Sequence, residues 1–108
     1  MTAKLPDLLA RLPQHGIEFH YTNKSSKEFE KLDSSVATLF RKLFEKIASK
    51  DPRIDWRHLG PKQAEYFQTS NLWSARANHK YRLFVERHGK VVVVLGFDHR
   101  GSHNYKTE

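Results

Sequence analysis

Apolar residues recur with helical spacing in the first half of the chain. Leu5, Leu8, Leu9 and Leu12 are three and four residues apart and predict a short N-terminal helix. Pro6 and Pro13 mark its start and its end, because proline favours the first turn of a helix and stops one that precedes it. Ser25, with Glu28 three residues later, has the spacing of a capping box and predicts the start of a second helix. Polar residues at 33–35 are predicted to end that helix and cap a third.

The third predicted helix carries a full apolar stripe. Six apolar residues fall at i, i+3, i+4, i+7, i+8 and i+11, namely Val36, Leu39, Phe40, Leu43, Phe44 and Ile47. The opposite face carries charged residues, so we expect all six to be buried against a sheet. The Asp51-Pro52 pair ends the helix, because a residue before proline disfavours helical backbone.

Alternating apolar and polar residues predict strands on both sides of these helices. The first is Ile17–Tyr21. After a short extended piece at 54–59 and a polar loop at 60–71, three further strands are predicted at 73–78, 81–86 and 91–95. The last of these is apolar on both faces, which is typical of a central strand.

This order of elements predicts an α+β fold. A helical hairpin packs on one face of a twisted, mainly antiparallel sheet, and the other face is expected to stay open. A chain of 108 residues has the size of one domain, so residues 1–108 are taken as a single unit.

Composition narrows the class of protein. The chain has no cysteine, which excludes disulfides and thiolate metal sites and fits a reducing compartment. The first residues lack the apolar run of a signal peptide, and the longest apolar stretch, Val91–Leu95, is too short to span a bilayer. We therefore expect a cytoplasmic protein without a membrane partner.

The net charge of +7 indicates a polyanionic partner. The candidate nucleic-acid contacts all lie in the last third of the chain: Arg76, Lys80, Arg82, Arg87, Lys90 and Arg100. Arg76 and Arg82 occupy polar positions of neighbouring predicted strands, so both are expected on the open face, where they could contact several phosphates. An ordinary solvated strand face is the alternative interpretation.

Residues 97–105 hold the candidate acid–base chemistry. His99 and His103 suit proton transfer near neutral pH. Together with Asp98 they could instead bind zinc, but a third convergent ligand is not evident in the sequence. Tyr105 closes the segment. We expect neither a metal nor a cofactor.

One segment carries a family likeness. Leu72–Val85 resembles the strand-turn-strand of the RelE-like toxins of bacterial toxin–antitoxin pairs, in which a tyrosine–arginine pair, here Tyr81-Arg82, opens the second strand. The resemblance covers about Ile17 to Tyr105. Its other marks are Glu30–Asp33 at the end of a helix, the Trp56–Gly60 segment, and a hydrophobic strand with a basic loop at Val91–Tyr105.

The resemblance implies a microbial RNase-like fold, cleavage of mRNA in the ribosomal A site and neutralisation by a cognate antitoxin. By position, Arg82 is similar to the family's phosphate-contacting arginine and Arg76 to a basic residue of the preceding strand. His99 falls where members carry arginine or histidine, and Tyr105 matches a terminal tyrosine that stacks on or activates the substrate. Ser74 departs from the pattern, because some members have a lysine there.

The expected function is that of an mRNA interferase, a metal-independent endoribonuclease acting as the toxin of a type II pair. Arg82 and Arg76 would stabilise phosphorane charge, and His99 or His103 would serve as base or acid. Compared with the family pattern, residues 1–16 and 61–71 look like extensions, the first of them with a short helix. Two alternatives remain open: a ParE-like toxin that poisons DNA gyrase, and a RelE-like binding domain without activity.

Overall fold

The computed structural model describes residues 4–13 and 16–98. Within those residues it contains four helices and five strands. Their bounds in chain order are α1 Leu5–Ala10, β1 Glu18–Tyr21, α2 Asn23–Glu30, α3 Ser34–Ala48, β2 Trp56–His58, α4 Pro61–Tyr66, β3 Leu72–Arg76, β4 Arg82–His88 and β5 Val91–Asp98. Among the described helices, none is long and apolar enough to cross a membrane.

The strands form one mixed sheet in the order β1-β5-β4-β3-β2. The last three strands make the predicted antiparallel meander, and β2 adds to it in antiparallel orientation. β1 pairs with β5 in parallel, so β5 lies inside the sheet as its apolar sequence predicts. The α+β fold class is confirmed.

The main core lies between the sheet and the first three helices. All four leucines predicted for the N-terminal helix lie in this core: Leu5, Leu8 and Leu9 in α1, and Leu12 in the turn that follows it. In α3, the predicted burial is confirmed for Phe40, Leu43, Phe44 and Ile47. It is wrong for Val36 and Leu39, which are only half-buried. Val36 belongs to the first turn of the helix and Leu39 lies at the margin of the buried stripe, where small Ala37 and Ala48 on the other side pack closer to the core.

The start of α2 corrects the predicted capping box. Thr22 is the N-cap: its hydroxyl oxygen accepts from the Ser25 N–H at 3.0 Å, and the Ser25 hydroxyl oxygen accepts from the Thr22 N–H at 3.0 Å. The helix therefore begins before Ser25. A serine at the third helical position performs the reciprocal bond usually made by Glu or Gln, which leaves Glu28 available for another contact.

The predicted loop at 60–71 is wrong, because it contains α4. Gly60 is the N-cap and Pro61 occupies the first turn, a position that proline favours. Ala64 and Phe67 pack on Leu72 and Phe84 in a second apolar cluster. The face expected to be open is therefore covered where α4 lies, and only the remainder stays accessible.

A β-bulge changes the direction of side chains along β5. Phe84 pairs with Gly96 while Val85 pairs with Val94, which leaves Leu95 without an opposite residue. Beyond that point, the alternation of β5 side chains between the two sheet faces is shifted by one residue. As a result Phe97 joins the main core with Val92 and Val94.

Candidate nucleic-acid interface

Three arginines lie together on the sheet face opposite α1, α2 and α3. Arg57 of β2 is paired with Ser74 of β3, and Arg76 of β3 is paired with Arg82 of β4. Residues opposite one another in a ladder share a face, as do residues two apart in one strand. We call Arg57, Arg76 and Arg82 the arginine cluster.

Arg82 is the most enclosed member of the cluster. Its Nη1 atom donates to the hydroxyl oxygen of Ser74 at 3.3 Å, and Ser74 is 0% exposed. Burial lowers the pKa of Arg82 below its ordinary value, and the neighbouring charges of Arg76 and Arg57 lower the pKa further. The guanidinium remains a cation at neutral pH. The carboxylates of Asp55 and Asp98 oppose this lowering of the pKa, and a bound phosphate would add to them in offsetting the repulsion.

Asp55, just before β2, holds the two outer arginines. One carboxylate oxygen lies 3.5 Å from Nε of Arg57 and the other lies 3.5 Å from Nε of Arg76. Because one carboxylate is shared between two guanidiniums, it neutralises neither completely. Both arginines are exposed, and exposed ion pairs are weak and exchangeable. Asp55 orients the two cations while leaving them available to a ligand.

The last residue of β5, Asp98, lies next to the arginine cluster. Asp98 is 4% exposed and pairs with Arg82 across the ladder. The peptide bond that follows Asp98 leads to His99. The predicted residues His99, Arg100, His103 and Tyr105 lie outside the described residues.

Comparison with solved structures identifies the fold. No protein-family model and no curated protein matches the chain. A chain of the toxin–antitoxin complex RelBE2 from Mycobacterium tuberculosis is similar with a TM-score of 0.60 and 22% identity, over 78% of this chain and 98% of that one. A chain of the archaeal RelE–RelB complex from Pyrococcus horikoshii is similar with a TM-score of 0.56 and 20% identity, over 82% of this chain and 99% of that one.

The chain has the RelE-like fold. The resemblance found in the sequence is thus confirmed at the level of the fold. On this RelE-like sheet the arginine cluster occupies the part of the open face that α4 leaves uncovered.

The five predicted basic contacts that lie within the described residues do not share one surface. Lys80 lies in the turn between β3 and β4, beside the Arg82 end of β4, where Oδ1 of Asn78 accepts from the backbone N–H of Lys80 at 2.8 Å. Lys90 lies in the turn between β4 and β5, at the opposite end of the sheet. Arg76 and Arg82 are brought together as predicted, and Lys80 is near them.

Arg87 lies on the sheet face that carries α1, α2 and α3. Its guanidinium carbon is 4.2 Å from the ring centre of Trp56 and 5.1 Å from that of Trp73. Burial lowers the pKa of Arg87. These two cation–π contacts give Arg87 a packing role on a surface separate from the arginine cluster.

Arg57 is absent from the sequence-predicted contacts. The alternation in Trp56-Arg57-His58 is the signal for it, since the polar residue between two half-buried aromatic residues must face the other way. Ser74 stands where some RelE-like toxins have a lysine. Arg57 of the neighbouring strand is paired with Ser74, so a cation lies beside this position.

The zinc alternative involves residues that lie partly beyond the described part of the chain. Within residues 4–13 and 16–98, no group of three or more histidine, aspartate or glutamate side chains converges to hold a metal ion.

Proposed function

We propose that the protein is the toxin of a type II toxin–antitoxin pair and cleaves mRNA on the ribosome without a metal. The observation that carries this proposal is the arginine cluster on the accessible part of a RelE-like sheet, next to the strand end that leads into His99. A net charge of +7 supports an RNA partner.

The arginine cluster would supply the electrostatic part of the reaction. When the 2′-OH of RNA attacks the adjacent phosphorus, negative charge grows on the non-bridging phosphate oxygens. Arginine suits this charge because its planar guanidinium can donate two parallel hydrogen bonds and does not lose its proton. We assign the reacting phosphate to Arg82, because Ser74 holds its guanidinium, and the flanking oxygens to Arg76 and Arg57.

The proton transfers are assigned to the segment after β5. A base must remove the 2′-OH proton and an acid must protonate the 5′-oxygen that leaves. His99 or His103 would perform these steps, and Tyr105 would stack on a base or take part in proton transfer. The covalent link of this segment to Asp98, the partner of Arg82 in the ladder, supports the assignment.

An antitoxin partner follows from the same likeness. The two solved structures described above are toxin–antitoxin complexes, as their names state. A chain with a net charge of +7 would be neutralised by an antitoxin with an acidic or amphipathic segment, because complementary charge favours association.

Induction of the chain in a bacterium, with mapping of new RNA 5′ ends, tests the proposed function. We expect growth arrest and fresh ends inside translated codons. Arg82→Ala should abolish both, whereas Lys42→Ala, an exposed charge change on α3, should not. Intact RNA together with DNA damage would instead indicate gyrase poisoning. Normal growth with intact RNA and DNA would contradict the toxin assignment.

A further inference from the structure

Tyr66, at the end of α4, presents an exposed aromatic ring. It is 67% exposed, the larger of two such values among the exposed large apolar side chains of the described residues, the other being 42% for Tyr21. The Nζ atom of Lys24 in α2 lies 5.3 Å from the centre of the Tyr66 ring. An aromatic ring and a cation from two different helices therefore meet at one accessible point.

Phe67 and Thr69, which follow α4 in the chain, fix this segment on the sheet. The rings of Tyr66 and Phe67 form a T-shaped contact with their centres 5.1 Å apart. The Phe67 ring in turn lies 5.0 Å from the ring of Phe84 in β4, with 31° between the ring planes. The hydroxyl of Thr69 donates to the Glu86 carboxylate, a second attachment of this segment to β4. Tyr66 is thus held by a rigid support, which lowers the entropy lost when a ligand binds.

This support connects Tyr66 to the arginine cluster. Phe84 is two residues from Arg82 on the same strand face and pairs with Ser74, the hydrogen-bond partner of Arg82. Tyr66 is linked to Phe84 through two ring contacts. Arg82 is two residues from Phe84, a step of about 7 Å along β4. An extended single strand of a few nucleotides spans such a distance.

We propose that Tyr66 and Lys24 form a subsite for an unpaired nucleotide of the RNA strand whose phosphates contact the arginine cluster. The Tyr66 ring stacks on the base, and the Lys24 ammonium contacts the adjoining phosphate. The proposal rests on the proposed RNA-directed function and adds the substrate class of this surface, single-stranded RNA that continues beyond the reacting phosphate.

The surroundings of Tyr66 favour RNA over a protein partner. Protein hot spots lie at the centre of contiguous apolar surface that excludes water. Tyr66 has the polar, exposed Lys62 and Glu65 on its own helix, and a lysine above its ring. An exposed aromatic ring with lysines beside it is an arrangement that binds single-stranded nucleic acid, because every base has a stacking face and every nucleotide has a phosphate.

Binding of a short unpaired RNA tests the subsite. The probe is a fluorescent 2′-O-methyl RNA oligonucleotide without secondary structure, which the enzyme cannot cleave, and the readout is Kd from fluorescence anisotropy. Tyr66→Ala should weaken binding about 10-fold, as expected for the loss of one stacked base. Tyr66→Phe should bind as the wild type does, and Lys24→Ala should bind more weakly with a lower salt dependence.

Tyr21→Ala is the matched control, because it removes the other exposed tyrosine, on β1, and should leave Kd unchanged. Equal melting temperatures for all variants would show that the fold is intact. Wild-type affinity in Tyr66→Ala, or equal losses in Tyr66→Ala and Tyr66→Phe, would overturn the stacking subsite. Absence of binding by the wild type would also overturn it, whereas the proposed function is judged separately by the mapping of RNA 5′ ends.

Discussion

The Glu28 carboxylate of α2 accepts a hydrogen bond from the backbone N–H of Phe97 in β5 at 3.1 Å. β1 pairs with β5 only as far as Val94, so this N–H lies beyond the reach of the neighbouring strand. A helix side chain therefore satisfies the strand edge next to Asp98. The contact fixes the end of β5 at the point where the chain continues toward His99.

Glu28→Ala should reduce the free energy of unfolding by about 1.5–3 kcal/mol, because it leaves a partly buried N–H without its charged acceptor. Glu28→Gln keeps an acceptor oxygen and should lose less. Urea unfolding of the three proteins gives the comparison. The outcome that contradicts this role is an alanine variant as stable as the wild type.

Arg57 should contact one phosphate of bound RNA. Arg57→Ala should lower the slope of log K against log salt by about 0.7, the value for one released counterion on a single strand. The measurement is RNA affinity over a series of salt concentrations, with Lys42→Ala as the control of equal charge change on α3. If both variants change the slope equally, Arg57 acts only through net charge.

Phe40 should be a full core position. Phe40→Ala should cost about 3–5 kcal/mol, since Phe40 is 0% exposed and packs against Phe97 at 4.8 Å between ring centres. Leu39→Ala, at the half-buried margin of the same helix, should cost clearly less. Equilibrium denaturation separates them, and equal losses would mean that the buried face of α3 is assigned incorrectly.

Glu86 should make stability depend on acid pH. The Thr69 hydroxyl, together with His88, lowers the pKa of Glu86 below its ordinary value of 4.5. The folded state thus favours the carboxylate, whose contribution is complete above pH 4.5 and is lost as pH falls through the lowered value.

The free energy of unfolding should therefore fall below that pH, and fall less in Glu86→Gln. Urea unfolding at about pH 6 and about pH 3 measures both drops. Asp51, whose pKa Arg53 lowers to about 2, titrates in both proteins and does not alter the comparison. An identical drop in the two proteins would exclude Glu86 as a source.

The elements that the sequence predicts well are those whose pattern repeats. The stripe of α3 spans several turns, and the alternation in β3 and β4 is long enough to place Arg76 and Arg82 on one face. α4 escapes prediction because only Ala64 and Phe67 of its region face the sheet, so no period is visible. The β5 bulge likewise has no signal in a run of valines.

The sequence predicts the site only where the alternation of a strand shows which face each side chain occupies. Arg87 is two residues from Val85, whose side chain is in the main core. This spacing alone places Arg87 on the face that carries α1, α2 and α3. The alternation that marks Arg57 covers only the three residues of β2, so it is a weak signal in the sequence. The pairing of Arg57 with Ser74 depends on the sheet order, which the sequence does not specify.

Cleavage of translated mRNA by Arg82→Ala, measured beside its melting temperature, tests the central claim most directly. Removal of the guanidinium held by Ser74 should lower the rate by ~10²–10³. Arg82→Lys should recover little, because an ammonium cannot make the bidentate contact. The account predicts this loss in a variant that melts near the wild-type temperature. A folded Arg82→Ala that cuts at the wild-type rate would contradict it.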